Sequence, residues 1–245
     1  MRKTLTCVVL LLFALPGWVL ADGGDDDPVS RNEALALKTA VKSVIEALGA
    51  PPAGYAMATE DYDLPTSMGY DKSKKVFYLT QTGADLEYTN GMSGEQLGQE
   101  YQTRIMAAQA KGDYAEMQRL SMELQQNMGA AMGTEMSKIK VRVYLNHNPH
   151  QEIDPEGVLW ETPGAIALRT GTENANAQVL LAFDPKALAD TQKVSLVNLG
   201  ETLNGSSDTK TAVRTIVVEL EGPEAAVTEW VQNVDKGKML GLITK

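Results

Sequence analysis

Between residues 93 and 131 apolar side chains recur every three or four positions, with one break at Lys111-Gly112. Leu97, Tyr101, Ile105 and Ala108 form one stripe; Tyr114, Met117, Leu120, Leu124, Met128 and Ala131 form a second. That is the spacing of a helix face. At the break, Asp113 is placed to accept from the amides of the next turn, and Glu116 follows three residues on, close to a capping box. Two helices joined so tightly fold back as an antiparallel hairpin. From Lys138 the period falls to two. Ile139, Val141, Val143 and Leu145 take one side, and Lys138, Lys140, Arg142, Tyr144 and Asn146 the other. This predicts a strand with one dry and one wet face, the kind found in antiparallel sheets.

Other segments extend the pattern. Ser30 with Glu33 opens a first helix whose apolar face is Leu37, Val41, Val44, Ile45 and Leu48; Gly49 and Pro51-Pro52 end it. In 55–91 only 76–80 reads as a strand, the rest as a long loop. Further strands are predicted at 158–160, 165–170, 178–183, 194–199 and 213–220, with a helical turn at Asp184-Pro185. A last helix starts at Pro223 and presents Val227, Trp230, Val231 and Val234. The expected class is α+β: helices, including the antiparallel hairpin, packed on a mostly antiparallel sheet so that each covers the other's apolar side.

The start of the chain has a different character. Arg2 and Lys3, an apolar run over 6–15 and Val19-Leu20-Ala21 read as a secretory signal peptide over 1–21, too short for a membrane span. Residues 22–29, Asp-Gly-Gly-Asp-Asp-Asp-Pro-Val, then read as a solvated acidic linker. Residues 30–245 form a single domain, divisible into lobes 30–137 and 138–245. Cys7, the one cysteine, lies inside the signal, so the mature chain has no disulfide and no thiolate site. Removing Arg2 and Lys3 leaves 20 basic against 32 acidic residues, a net charge near −12. That charge argues against nucleic acid as a partner. A periplasmic or secreted protein is expected, with no stable membrane insertion after signal cleavage.

Chemistry is sparse. Gly91-Met92-Ser93-Gly94-Glu95 begins like a nucleophile elbow but lacks its final glycine, and Ser93 reads better as an N-cap. Phosphate loops and dinucleotide fingerprints are missing, so no cofactor is expected and the chain reads as a non-enzyme. The two histidines, His147 and His150, precede Glu152 and Asp154. Together these four could hold zinc, copper or nickel; Asn148-Pro149 also makes a turn without any metal. Met128, Met132 and Met136 stack four apart, with Met117 before them. They read as core, as an adaptable apolar groove, or as thioether ligands for Cu(I). Tyr55, Tyr62 and Tyr70 crowd the region before the hairpin, either as stacking rings facing a ligand or as anchors. The stretch 110–116 resembles the turn inside tetratricopeptide repeats, but a period of about 34 residues does not recur, which excludes a solenoid.

The expected function is that of an exported cell-envelope protein, a non-catalytic binding or interaction module. Its partner would be a protein or a small apolar ligand, met by Tyr55, Tyr62, Tyr70, Met117, Met128 and Met132. The alternative is a periplasmic metal-handling protein, using His147, His150, Glu152 and Asp154 or the methionines.

Overall fold

The alternation that begins at Lys138 becomes the third strand of a seven-stranded antiparallel sheet. The computed structural model describes residues 25–90, 94–133, 138–173, 176–189, 196–197 and 206–244. In chain order the elements are β1 (Asp25–Pro28), α1 (Arg31–Ala47), β2 (Tyr55–Asp63), β3 (Ser67–Asp71), β4 (Val76–Tyr78) and β5 (Thr82–Asn90). Next come α2 (Gly94–Ala110), α3 (Tyr114–Gly133), β6 (Lys138–Leu145), β7 (Gln151–Glu152), β8 (Val158–Thr162), β9 (Ala165–Glu173) and β10 (Asn176–Phe183). The last are β11 (Leu196–Val197), β12 (Ser206–Ser207), β13 (Ile216–Pro223), α4 (Glu224–Gln232) and α5 (Lys236–Gly241). The large sheet runs β2-β5-β6-β13-β10-β9-β8; a small one runs β1-β3-β4-β12, and β7 pairs with β11. The class is mixed α+β with antiparallel sheets, and no described helix is long and apolar enough to cross a membrane.

One face of the large sheet is the core. Ile139, Val141, Val143 and Leu145 of β6 are fully buried, as the period of two requires. Ala84, Leu86 and Tyr88 from β5 join them, with Val179, Leu181 and Phe183 from β10 and Ile216, Val218 and Leu220 from β13. Helices α1 and α4 cover this face through Val41, Val44, Val227, Trp230 and Val231. At the head of α1 the capping box forms: the Ser30 hydroxyl accepts from the Glu33 amide at 3.3 Å, and the Glu33 carboxylate accepts from the Ser30 amide at 2.7 Å. Gly49, at φ +81°, turns the chain away after α1. Trp230 ties α4 to α1 by donating its indole N–H to Leu48 O at 3.0 Å, and its ring meets Tyr88 edge-on at 4.9 Å.

Among the described residues the other face is covered only in part. Ile166, Leu168, Leu180, Ala182 and Val217 pack there against Leu188, Val197 and Ile153, which belong to the connections after β6 and β10, and against Val158 at the start of β8. The described parts of those connections form a strap over the β13-β10-β9 side of the sheet. The remaining half of this face, from β2 to β6, carries charge.

Three departures from expectation have physical reasons. Residues 25–28, read from the sequence as part of a linker, form β1, paired antiparallel with β3. A buried cation makes this tenable for an acidic segment: the Lys210 ammonium donates to Pro28 O at 2.6 Å and lies 3.0 Å from Asp27. The region 55–90 holds four strands, not one. Strand β2 hides from a periodicity reading because it is an edge strand exposed along most of its length. Finally, Tyr114 is 78% exposed although its spacing puts it in the second apolar stripe. Tyr114 is the first residue of α3, beside the turn, and lies outside the hairpin's buried cluster. The hairpin's buried residues, Tyr101, Ala108 and Leu120, form a cluster of their own with Ile105, Met117 and Leu124, separate from the two clusters on the sheet.

Candidate functional site

The strap begins at the histidine turn. Asn146 and His150 both take positive φ, so the chain reverses sharply after β6. Thr215 donates its hydroxyl to His147 O at 3.1 Å, and the His147 ring lies 5.0 Å from that of Tyr144. Burial holds the His147 imidazole below its ordinary pKa, against the nearby Glu219 carboxylate, which raises it. His150 is exposed. Glu152 sits in β7 opposite Leu196, and Asp154 accepts the Glu156 amide at 3.0 Å to cap a short 3-10 turn at Pro155–Gly157. Among the described residues no group of three or more His, Cys, Asp or Glu side chains gathers for a metal ion. The four candidate ligands are therefore distributed along the strap and not brought around one point.

The three tyrosines Tyr55, Tyr62 and Tyr70 are partly buried. Tyr55 and Tyr62 pack at the margin of the main core. The Lys38 ammonium stands 4.1 Å from the centre of the Tyr62 ring, and the Tyr62 hydroxyl donates to Glu60. Burial, then the Glu60 hydrogen bond, pushes the Tyr62 phenol well above its usual pKa. Tyr70 stacks on Phe77 inside the small sheet, at 4.8 Å. Met117 is half-buried in the hairpin cluster. Met128 and Met132 belong to α3 but their side chains, like residue Met136 and the elbow-like Ser93, lie outside the description.

A surface that the motif reading passed over lies on the half-open face. The wet residues of β6 sit between carboxylates from both neighbouring strands. Arg142 is opposite Asp85 on β5 and Glu219 on β13; Lys140 is opposite Glu87 and Glu221. The contacts are long where they involve Arg142, 3.8 Å to Asp85 and 3.5 Å to Glu219, and short for Lys138 to Glu87 at 2.9 Å. Where this charged lattice meets the strap, a groove of about 250 Å³ opens. Lys140, Arg142, Glu219 and Glu221 line it with Gln178 and Thr170, and Pro149 and Gln151 form the strap side. Gly171 stands opposite Gln178, where a Cβ would come within 3.2 Å of the Gln178 amide oxygen. The missing side chain leaves room for that amide.

The period of two in 138–145 and in 216–223 contained the signal for this surface. Spacing within a strand says which residues share a face, not which strand lies beside it. The acidic flanks become visible only with the register. Comparison of the chain with known protein families, with characterised proteins and with solved structures gives no match.

Proposed function

We propose that this chain is a non-catalytic binding protein of the cell envelope, exported by its N-terminal signal, and that it takes a polar, charge-bearing partner segment in the groove beside the strap. One observation carries the reading: a row of cations bracketed by carboxylates, lining a concave surface on an otherwise helix-backed sheet. Exposed ion pairs at 3.5–3.8 Å contribute little to stability. Arg142 can therefore exchange its internal partners for a ligand's charges at small cost. The amides of Gln151 and Gln178 add donors and acceptors, and alternating charge favours a ligand that also carries both signs.

The test uses the mature chain, isotope-labelled, titrated with short acidic, basic and zwitterionic peptides and read by amide NMR. Saturable shifts at Lys140, Gln178 and Glu221, abolished in Lys140→Glu/Arg142→Glu, are the expected result. No saturable shift at the groove with any of the three peptide classes refutes it. Export is checked separately: protein recovered outside the cytoplasm should begin at Asp22 by intact mass, and a full-length chain retained in the cytoplasm refutes that part.

A further inference from the structure

A second cavity, of about 220 Å³, lies at the other end of the strands, where Phe183 pairs with Ile216. Its walls are mainly apolar, formed by Pro185 from the turn after β10 and by Leu240 and Ile243 from the C-terminal segment. The walls are fixed. Thr244 and Val213 exchange two hydrogen bonds, at 2.7 Å from the Thr244 amide and 3.1 Å to its hydroxyl. Gly164, at φ +84°, comes so close that a Cβ there would lie 3.0 Å from Pro185 and 3.3 Å from Leu240. Two cations, Lys186 and Arg214, line this cavity in a chain with ten more acidic than basic residues. Arg214 is held in place by donating to Thr244 O at 3.1 Å and to the Ser207 hydroxyl at 3.4 Å. Among the described residues on the lining the one carboxylate, Asp184, is buried and accepts the amides of Lys186 and Ala187 at 2.8 and 3.0 Å. Its charge is thus turned into its own loop, and the balance facing a ligand is positive.

We propose that this pocket binds a carboxylate carrying one ring-sized or branched apolar group, the apolar part between Pro185, Leu240 and Ile243 and the carboxylate toward Arg214 and Lys186. The size argues for a single such group: a dry cavity of about 150 Å³ accommodates benzene, so this one takes a ring and a short arm. The sign argues for an anion, because an arginine pairs with a carboxylate in a charge-assisted geometry. Free arylalkyl acids and peptides ending in an apolar residue share that chemistry. The site is separate from the groove beside the strap and stands or falls independently of it.

The experiment is calorimetry and methyl NMR on the mature chain, with phenylacetate, N-acetyl-glycyl-phenylalanine, phenylacetamide and phenethylammonium as probes. At least one of the two carboxylates should shift the Leu240 and Ile243 methyl resonances saturably, and which one does so identifies the source. The neutral amide and the cation should bind at least about tenfold more weakly, the effect of losing one charge-assisted hydrogen bond. Ile243→Trp, which fills the cavity, should abolish binding. Arg214→Gln should weaken it about tenfold, and Lys186→Gln, on an exposed turn, supplies the charge test should Arg214→Gln fail to fold. Absence of a saturable methyl shift with both carboxylates overturns the proposal. So does a cation that binds as tightly as the acids, or binding that survives Ile243→Trp.

Discussion

Lys210→Met isolates the device that holds the N-terminal strand. The Lys210 side chain is 6% exposed, and its ammonium meets Pro28 O at 2.6 Å, Asp27 at 3.0 Å and Glu33 at 3.8 Å, over the Phe77 ring at 5.1 Å. Methionine keeps the apolar stem and removes the charge. A hydrogen bond from a charged donor contributes about 1.5–3 kcal/mol, and the cation over Phe77 adds about 0.5–1 kcal/mol. The acids contribute little, because Asp27 and Glu33 are 46% and 32% exposed and regain water once the cation is gone. The expected loss is about 2–4 kcal/mol, confined to β1 and its junction with α1. At about 1.4 kcal/mol per factor of ten, exchange of the Val29 amide, which donates to Thr66 O at 2.9 Å, should accelerate about 30- to 700-fold. The amides of Val141 and Val143, in the centre of the large sheet, should keep their protection. Val29 protection within about threefold of the parent would refute the reasoning, because it would mean that strand pairing with β3 suffices without the cation. An equal loss at Val29 and Val143 would refute it differently, by making Lys210 a support of the whole domain.

Three further outcomes follow from named contacts. Leu120→Ala, at a fully buried position of the hairpin cluster, should cost about 2–5 kcal/mol of hairpin protection, whereas Met122→Ala, 55% exposed, should change it by less than about 0.5 kcal/mol; comparable hydrogen-exchange profiles for the two would contradict the helix phase. The Ser30 hydroxyl, then the Ser30 amide and Lys210, hold Glu33 below the usual carboxylate range, so its contribution is present above the unfolded value of about 4.3 and is lost as pH falls through the lower folded value. Amides in the first turn of α1 should therefore lose protection in acid, and Glu33→Gln should flatten that dependence. His147 behaves with the opposite charge: burial keeps its folded pKa low, so the unfolded chain takes up the proton first and stability should fall as pH drops below about 6.5. Denaturant midpoints at several pH values should show that limb in the parent chain and a shallower one in His147→Gln.

What could be read in advance followed from local rules. The Ser30–Glu33 box, the Asp113 cap and the alternation over Lys138–Leu145 each involve residues within a few positions of one another, and each is present. What escaped depends on distant partners. Asp27 of β1 looks solvated until Lys210, far along the chain, is placed beside it. Strand β5 alternates Ala84, Leu86 and Tyr88 with Asp85 and Glu87, a legible pattern, but Gly83 and the carboxylates lower its strand propensity. The histidine turn and the tyrosines attract attention by residue type; the structure gives His147 and Tyr70 ring contacts and packs Tyr55 and Tyr62 against the core. The charged groove has no rare residue to announce it, since it is assembled from common ones by strand order.

The way α1 is secured also constrains the order in which the molecule can be completed. Its end is met by Trp230 and Lys238, across 182 and 192 residues, and β1 just before it is met by Lys210, again 182 residues away. Asp235 closes the same junction by donating its amide to Ala47 O at 2.9 Å. Closing loops of that length is entropically costly and slow compared with local contacts. During synthesis the first helix waits for the last one, and an emerging chain stays without a finished core until residues near 240 have appeared.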